Sequence, residues 1–258
     1  MPFRFYPIYR RELRSYLASP AIFGTAALWF FLAGLIFYGT MTQFADASGS
    51  ADLRRELGLE KVNFTLHVAG QLFLAMNFLF IFLVPVITMR LLAEEKRTGT
   101  FETLKSLPFT DHDIVAAKFL AAYTLVAALV SGTAIYALFM MRYGRPELPV
   151  LAVAYLGTLI AAAGYVAIGV FASSLTENQI VAAVLAFVLL LALSLAGDIV
   201  PPSSGGVGRL LEFLSLRYHT EHFSRGLLRL EDVVYFGLLS WAFLFLACRV
   251  LELRRWAI

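Results

Sequence analysis

The chain of 258 residues is 60% hydrophobic and only 15% charged, with 21 lysines and arginines against 18 aspartates and glutamates, a net charge of +3. Soluble domains carry ~25% charge and need a polar shell around their core, so this composition excludes a soluble enzyme and a free-standing nucleic-acid-binding domain. It equally excludes disorder, which requires low hydrophobicity and high net charge.

The remaining class is an all-α polytopic membrane protein, and one transmembrane domain over 1–258 is expected. Six stretches approach the ~20 apolar residues that cross ~30 Å of hydrocarbon. A closed barrel is excluded, because the runs lack two-residue alternation and are too long for strands.

Taken in chain order, the first element is an amphipathic helix over residues 5–19. Phe5, Tyr9, Leu13, Tyr16 and Leu17 recur at helical spacing, while Arg10, Arg11 and Arg14 share another face and Ser19-Pro20 ends the run. It reads as a topology anchor or as an elbow passing force from a soluble partner into the first span. That span, Ala21–Met41, has 21 uncharged residues. Arg4, Arg10, Arg11, Arg14 and Ala45-Asp46-Ala47 mimic a cleavable leader, but leaders carry ~7–15 apolar residues, so a retained span is expected. The second span, 72–89, is interrupted by Asn77 and Pro85.

The loop at 90–118 is the richest segment. Arg90 to Arg97 continues a helix beyond the membrane with a dense charge run, and Thr98-Gly99 breaks it. Thr100–Leu107 then forms about two turns, with Phe101 and Leu104 on one side, before Pro108 stops it. Thr110, with Asp113 three residues on, offers a cap for the next helix. A short amphipathic helix between two breakers suits docking in a partner's groove, or else merely joins two spans as a solvated turn.

The remaining spans are 119–141, 148–176, 178–197 and 233–253, the last lengthened past Cys248 by snorkelling of Arg249. Cys248, the single cysteine, allows no intramolecular disulfide. The segment 198–232 forms a long loop between spans five and six. In it an amphipathic helix over 209–228 is expected to rest Leu210, Leu211, Phe213, Leu214 and Phe223 against the membrane. With six spans both ends share a side. Placing them in the cytoplasm puts 12 lysines and arginines inside against 9 outside.

The run Arg90-Leu91-Leu92-Ala93-Glu94-Glu95-Lys96-Arg97-Thr98-Gly99-Thr100-Phe101-Glu102-Thr103-Leu104, followed by Pro108 and by Lys118-Phe119, resembles the signature of type-2 ABC transporter permeases. Arg11-Glu12-Leu13, Ser173-Ser174-Leu175-Thr176-Glu177-Asn178-Gln179 and Leu251-Glu252-Leu253-Arg254-Arg255-Trp256 extend the likeness to nearly the whole chain. Within that family it is most similar to the gliding-motility and nitrous-oxide-reductase-maturation type.

The resemblance implies a six-span subunit of an ABC exporter in a bacterial or archaeal cytoplasmic membrane. It would pair with a second copy or a paralogue, and possess a separate cytoplasmic ATPase that carries the ATP and magnesium, this chain binding no cofactor. Thr100–Leu107 would be the coupling helix. Glu94, Glu95 and Glu102 would supply partner contacts or hinge-setting ion pairs, with Arg97, Thr100, Phe101, Leu104 and Pro108 around them and Gly99 as the bend. Glu177 and Asn178 would form a second cytoplasmic contact, and Arg10, Arg11, Glu12 and Arg14 the elbow. Residues 198–232, with Pro201-Pro202 and Gly205-Gly206, would be the extracytoplasmic gate, open to a companion protein.

Missing motifs narrow the function further. An ATP-hydrolysing phosphate loop ends Gly-Lys-Ser/Thr, and none of Lys61, Lys96, Lys105 and Lys118 follows a glycine. The histidines of His219-Thr220-Glu221-His222 fit neither zinc-protease spacing, although a three-residue step lets both share a face and hold a metal. No span carries the paired aspartates or the serine and histidine of an intramembrane protease. The spans lack the ionisable groups of ion-coupled carriers. Their polar inventory is Gln71, Asn77, Thr124, Ser131, Thr133 and Ser194, for which helix–helix hydrogen bonding is the default role. Gly157, Ala161, Gly164 and Gly169 give the fourth span a small-residue surface for close packing. An anchoring or assembly subunit that recruits soluble partners without transport shares all these features except a substrate path.

Overall fold

A computed structural model describes residues 5–49, 64–100, 109–199 and 205–255. Among the described residues every regular element is an α-helix: α1 (Tyr6–Leu17), α2 (Pro20–Gly49), α3 (Phe64–Thr88), α4 (Arg90–Arg97), α5 (Asp111–Gly132), α6 (Ala134–Tyr143), α7 (Leu148–Leu175), α8 (Gln179–Ile199), α9 (Gly206–Leu214), α10 (Leu216–Ser224) and α11 (Leu230–Arg255). Among the described residues six helical stretches are long and apolar enough to cross a bilayer, with α3–α4 and α5–α6 each counting as one.

The helices outrun the apolar windows from which spans are read. α3 begins at Phe64 and α5 at Asp111, well before the uncharged runs. Hydrogen bonds and caps decide where a helix starts, not the hydrocarbon. Thr110 caps α5 by accepting from the Asp113 N–H, while the Asp113 carboxylate accepts from the Thr110 N–H at 3.0 Å. Pro7 and Pro20 each open a helix, where the absent N–H costs nothing. The third span is broken once, at Thr133, whose hydroxyl donates to the Val130 carbonyl at 2.6 Å.

α7 is the central pillar, packed on α11, α3, α8 and α5. At 1.5 Å per residue its 28 residues reach ~42 Å, more than the hydrocarbon thickness. Its small residues meet three different neighbours. An added Cβ at Gly157 would collide with Phe223 of α10, at Gly164 with Phe236 of α11, and at Gly169 with Thr88 of α3. α3, α5 and α7 are largely buried, whereas α2, α8 and α11 present apolar side chains outward, among them Phe31, Val184, Val188 and Trp241. In water so large an apolar surface would aggregate; in hydrocarbon it is at home.

The bundle has two ends. α1, α4, the start of α5 and the α7–α8 turn form what we call the elbow end, and α9, α10 and the start of α11 form the far end. The far end departs from expectation in two ways. The single helix expected over 209–228 is two, because Ser215 takes an extended conformation and its hydroxyl donates to the Ser194 carbonyl at 3.0 Å. Phe223 does not lie against the membrane: it is fully buried on Gly157 and Phe236, while Leu210, Phe213 and Leu214 are exposed. Pro201 and Pro202 lie outside the described residues.

Candidate functional site at the elbow end

Three helices meet around one buried lysine. Lys118 of α5 has a fully buried side chain and faces Glu12 of α1 at 3.0 Å and Glu95 of α4 at 2.9 Å. Arg11 of α1 closes the ring, pairing with Glu12 at 2.9 Å and with Glu95. Two cations and two anions therefore alternate around a closed circuit whose formal charges cancel. A lone ammonium buried here would be strongly penalised, and two carboxylates remove that penalty. Burial disfavours the Glu12 carboxylate, but Lys118 and Arg11 outweigh it and hold the group below its ordinary range. Burial likewise works against the charge on Arg11, and Glu12 with Glu95 raise it above its ordinary value.

α4 is locked to α7 beside this ring. The α3 ladder ends at Thr88 and α4 begins at Arg90, so the first N–H groups of α4 need partners from outside the helix. The Ser173 hydroxyl supplies them. It donates to the Met89 carbonyl at 3.1 Å and accepts from the N–H groups of Leu92 and Ala93 at 3.0 and 3.2 Å. The Lys96 ammonium donates to the Ser174 carbonyl, and the Tyr16 hydroxyl donates to the Ile87 carbonyl at 2.8 Å with Arg90 over its ring. The charged run 90–97 and Ser173-Ser174, far apart in the chain, are thus one junction.

α4 then stops. The Thr98 N–H donates to the Glu94 carbonyl at 3.0 Å, and Gly99 follows at φ +71°, a conformation that L side chains rarely adopt. Of the residues singled out by sequence, Glu95 faces the buried ring and Glu94 is half-buried, while Arg97, Gly99 and Thr100 are exposed. Phe101, Glu102, Leu104 and Pro108 lie outside the described residues. Glu177 and Asn178 are exposed at the same end, where the Asn178 side chain caps α8 by accepting from the Ile180 N–H at 2.9 Å. Arg10 and Arg14 are exposed on α1.

Lys118 was not among the site residues expected from sequence. A signal was present: it occupies the same helical stripe as Ile114, Ala121, Ala122 and Leu125, all buried. A charge on an apolar stripe needs a partner. Ser173 gave no such signal, since a serine inside an apolar span reads equally as packing.

The two far-end histidines do share a face, and both meet Asp232 of α11. His219 is fully buried, donates from Nε2 to the Phe213 carbonyl at 2.9 Å, and places Nδ1 2.5 Å from Asp232. His222 Nδ1 lies 3.1 Å from the same carboxylate. His219 has both ring nitrogens occupied, so the groups with metal-ligand spacing are His222, Glu231 and Asp232. Arg229 pairs with Glu231 at 3.1 Å, placing a cation against that cluster. The arrangement ties α10 to α11.

Residues 6–219, most of the chain, match the family described as ABC-2 family transporter protein. The chain belongs to that family. It is the membrane-embedded permease component of an ABC transporter, multi-pass and all-helical. No curated protein matches it.

Proposed function

We propose that this permease subunit exports its substrate by pairing with a second copy or paralogue and is driven by a separate ATPase at the elbow end. In this reading the elbow end is cytoplasmic, both termini lie there, and the membrane is a bacterial or archaeal cytoplasmic membrane. ATP and magnesium belong to the ATPase. Thr100–Leu107 takes up its movement as the coupling helix, carrying Phe101, Glu102 and Leu104 and ended by Pro108, and Glu177 and Asn178 touch the ATPase a second time.

The observation carrying this reading is the four-charge ring. Displacing the chain beyond Gly99 moves α4, and Glu95 passes that movement through Lys118 to α5 and through Arg11 and Glu12 to the elbow. One local push then reaches three helices at once.

The test is reconstitution with the ATPase that co-purifies from native membranes. Glu95→Gln and Gly99→Pro are expected to leave membrane insertion and ATPase binding intact while cutting transport-coupled ATP turnover by about tenfold or more, a change of ~1.4 kcal/mol in coupling. Turnover unchanged in both variants would refute coupling through this junction.

A further inference from the structure

Most of the apolar side of α1 is spent inside the protein. Ile8 and Tyr16 are buried, α1 packs along α5, and the Tyr9 hydroxyl meets that of Thr124 on α5 at 3.2 Å. The side left facing outward is basic. Tyr6, Pro7, Arg10, Arg11 and Arg14 line an open cleft of about 390 Å³. Arg11 has its charge committed to Glu12 and Glu95. Arg10 and Arg14 are exposed, and among the described residues neither guanidinium has an ionic or hydrogen-bonded partner. No acidic side chain among the described residues lines the cleft.

The spacing defines what fits. Residues four apart on a helix are neighbours, and like charges so placed repel, so one anion between Arg10 and Arg14 relieves both. A guanidinium presents a planar fork of donors that matches phosphate oxygens, and the Tyr6 phenol, one turn earlier on the same stripe, offers a further donor. The ends of the cleft identify the source of that phosphate. Leu17, on the same face three residues past Arg14, is 56% exposed. Pro20 then opens the first span, and Phe23 in its first turn is exposed as well. An anion with an apolar tail sets its head among the arginines and its tail along Leu17 and Phe23. A free phosphate uses only the first half of this surface, and an acidic protein face gains nothing from apolar groups at the foot of a membrane span. A zwitterionic head returns a cation to the arginines, which favours a head of net negative charge.

We infer that this cleft holds the head group of an anionic phospholipid from the adjoining leaflet. Arg10 and Arg14 clamp the phosphate, Tyr6 donates to it, and the acyl chains run past Leu17 and Phe23. The lipid then secures the outer side of α1 as the four-charge ring secures its inner side. Binding requires no ATPase, so this site stands or falls independently of the transport reading.

The full chain in mild detergent is titrated with phosphatidylglycerol and, separately, with phosphatidylcholine of the same acyl chains, and bound lipids are counted by native mass spectrometry. Phosphatidylglycerol is expected to fill its tightest site at a concentration lower by about tenfold or more than phosphatidylcholine needs. Arg10→Gln combined with Arg14→Gln is expected to weaken that site by about tenfold or more. Removing two other exposed arginines, Arg142→Gln with Arg209→Gln, takes away the same charge and is expected to leave the site unchanged. Leu17→Ser is expected to weaken binding in the same direction as the arginine pair, and excess glycerol 3-phosphate is expected not to displace the lipid. Equal binding of the two lipids, or equal losses in both arginine double variants, would overturn the site. So would displacement by glycerol 3-phosphate, which marks a soluble ligand, or a photoreactive residue at Leu17 that captures the ATPase in native membranes instead of lipid.

Discussion

Lys118 carries a full positive charge in a helix otherwise committed to the bundle interior, and the ring around it makes two measurable demands. Lys118→Met leaves Glu12 and Glu95 facing one another with Arg11 as the remaining cation. Breaking a buried pair from one side costs ~3–5 kcal/mol, so thermal unfolding in mild detergent should shift sharply downward. Lys118→Met combined with Glu95→Gln should recover part of the loss, because residues within one network do not act additively. The second demand concerns pH. The Glu12 carboxyl is held below its ordinary value of 4.5 in the fold. A group depressed in this way stabilises the folded state fully above its unfolded value, and that contribution is lost as pH falls through the lower folded value. The stability gap between the native chain and Glu12→Gln should therefore be full above the ordinary value of 4.5 and narrow as the pH falls below it. A gap that stays flat as the pH falls well below 4.5 would contradict the ring as drawn.

At the scale of elements, α7 works because its neighbours approach closely at chosen points. Gly157→Ala and Gly169→Ala would each drive a methyl group into a buried partner, Phe223 in one case and Thr88 in the other. Overpacking of this kind costs ~1–3 kcal/mol. Gly237→Ala on α11, with open space around the added carbon, is the control and should not destabilise. Ser173→Ala removes the hydroxyl that serves three backbone groups at the α3–α4 bend. Two buried N–H groups left unmet cost ~1–3 kcal/mol each, so this single-atom deletion should lower the unfolding temperature as much as either glycine substitution.

For the whole molecule, the two ends carry different chemistry. The elbow end holds a neutral ring of four charges with Arg10 and Arg14 exposed beside it, and the far end holds two histidines gathered on one aspartate. If the elbow end is cytoplasmic, cysteines placed at Arg10 and Glu177 in a Cys248→Ser background should react with an impermeant maleimide only in inside-out vesicles. A cysteine at Arg209 should react only in right-side-out ones. Labelling of all three from one side would reject the proposed orientation. Hydrogen exchange should also be graded from the inside outward, slowest in α7 and faster in α2 and α8, whose apolar faces look outward.

Much of this was determined by the sequence alone, for reasons of solvent. The excess of apolar residues and the spacing of breakers allow only helices that satisfy their own backbone in a bilayer, so six spans, the elbow, the Thr110–Asp113 cap and the Gly99 break are legible residue by residue. So is family membership, because the charged run at 90–97 is local in the chain. What the sequence could not decide is which distant groups meet. Lys118 looked like the edge of a span until two carboxylates from other helices enclosed it. Phe223 looked like a membrane-facing residue until Gly157 made room for it, and Asn77 looked like a helix–helix contact until its amide bonded the Phe73 carbonyl of its own helix. Burial, pairing and cavity shape depend on residues far apart in sequence arriving at one point, and only the tertiary structure brings them there.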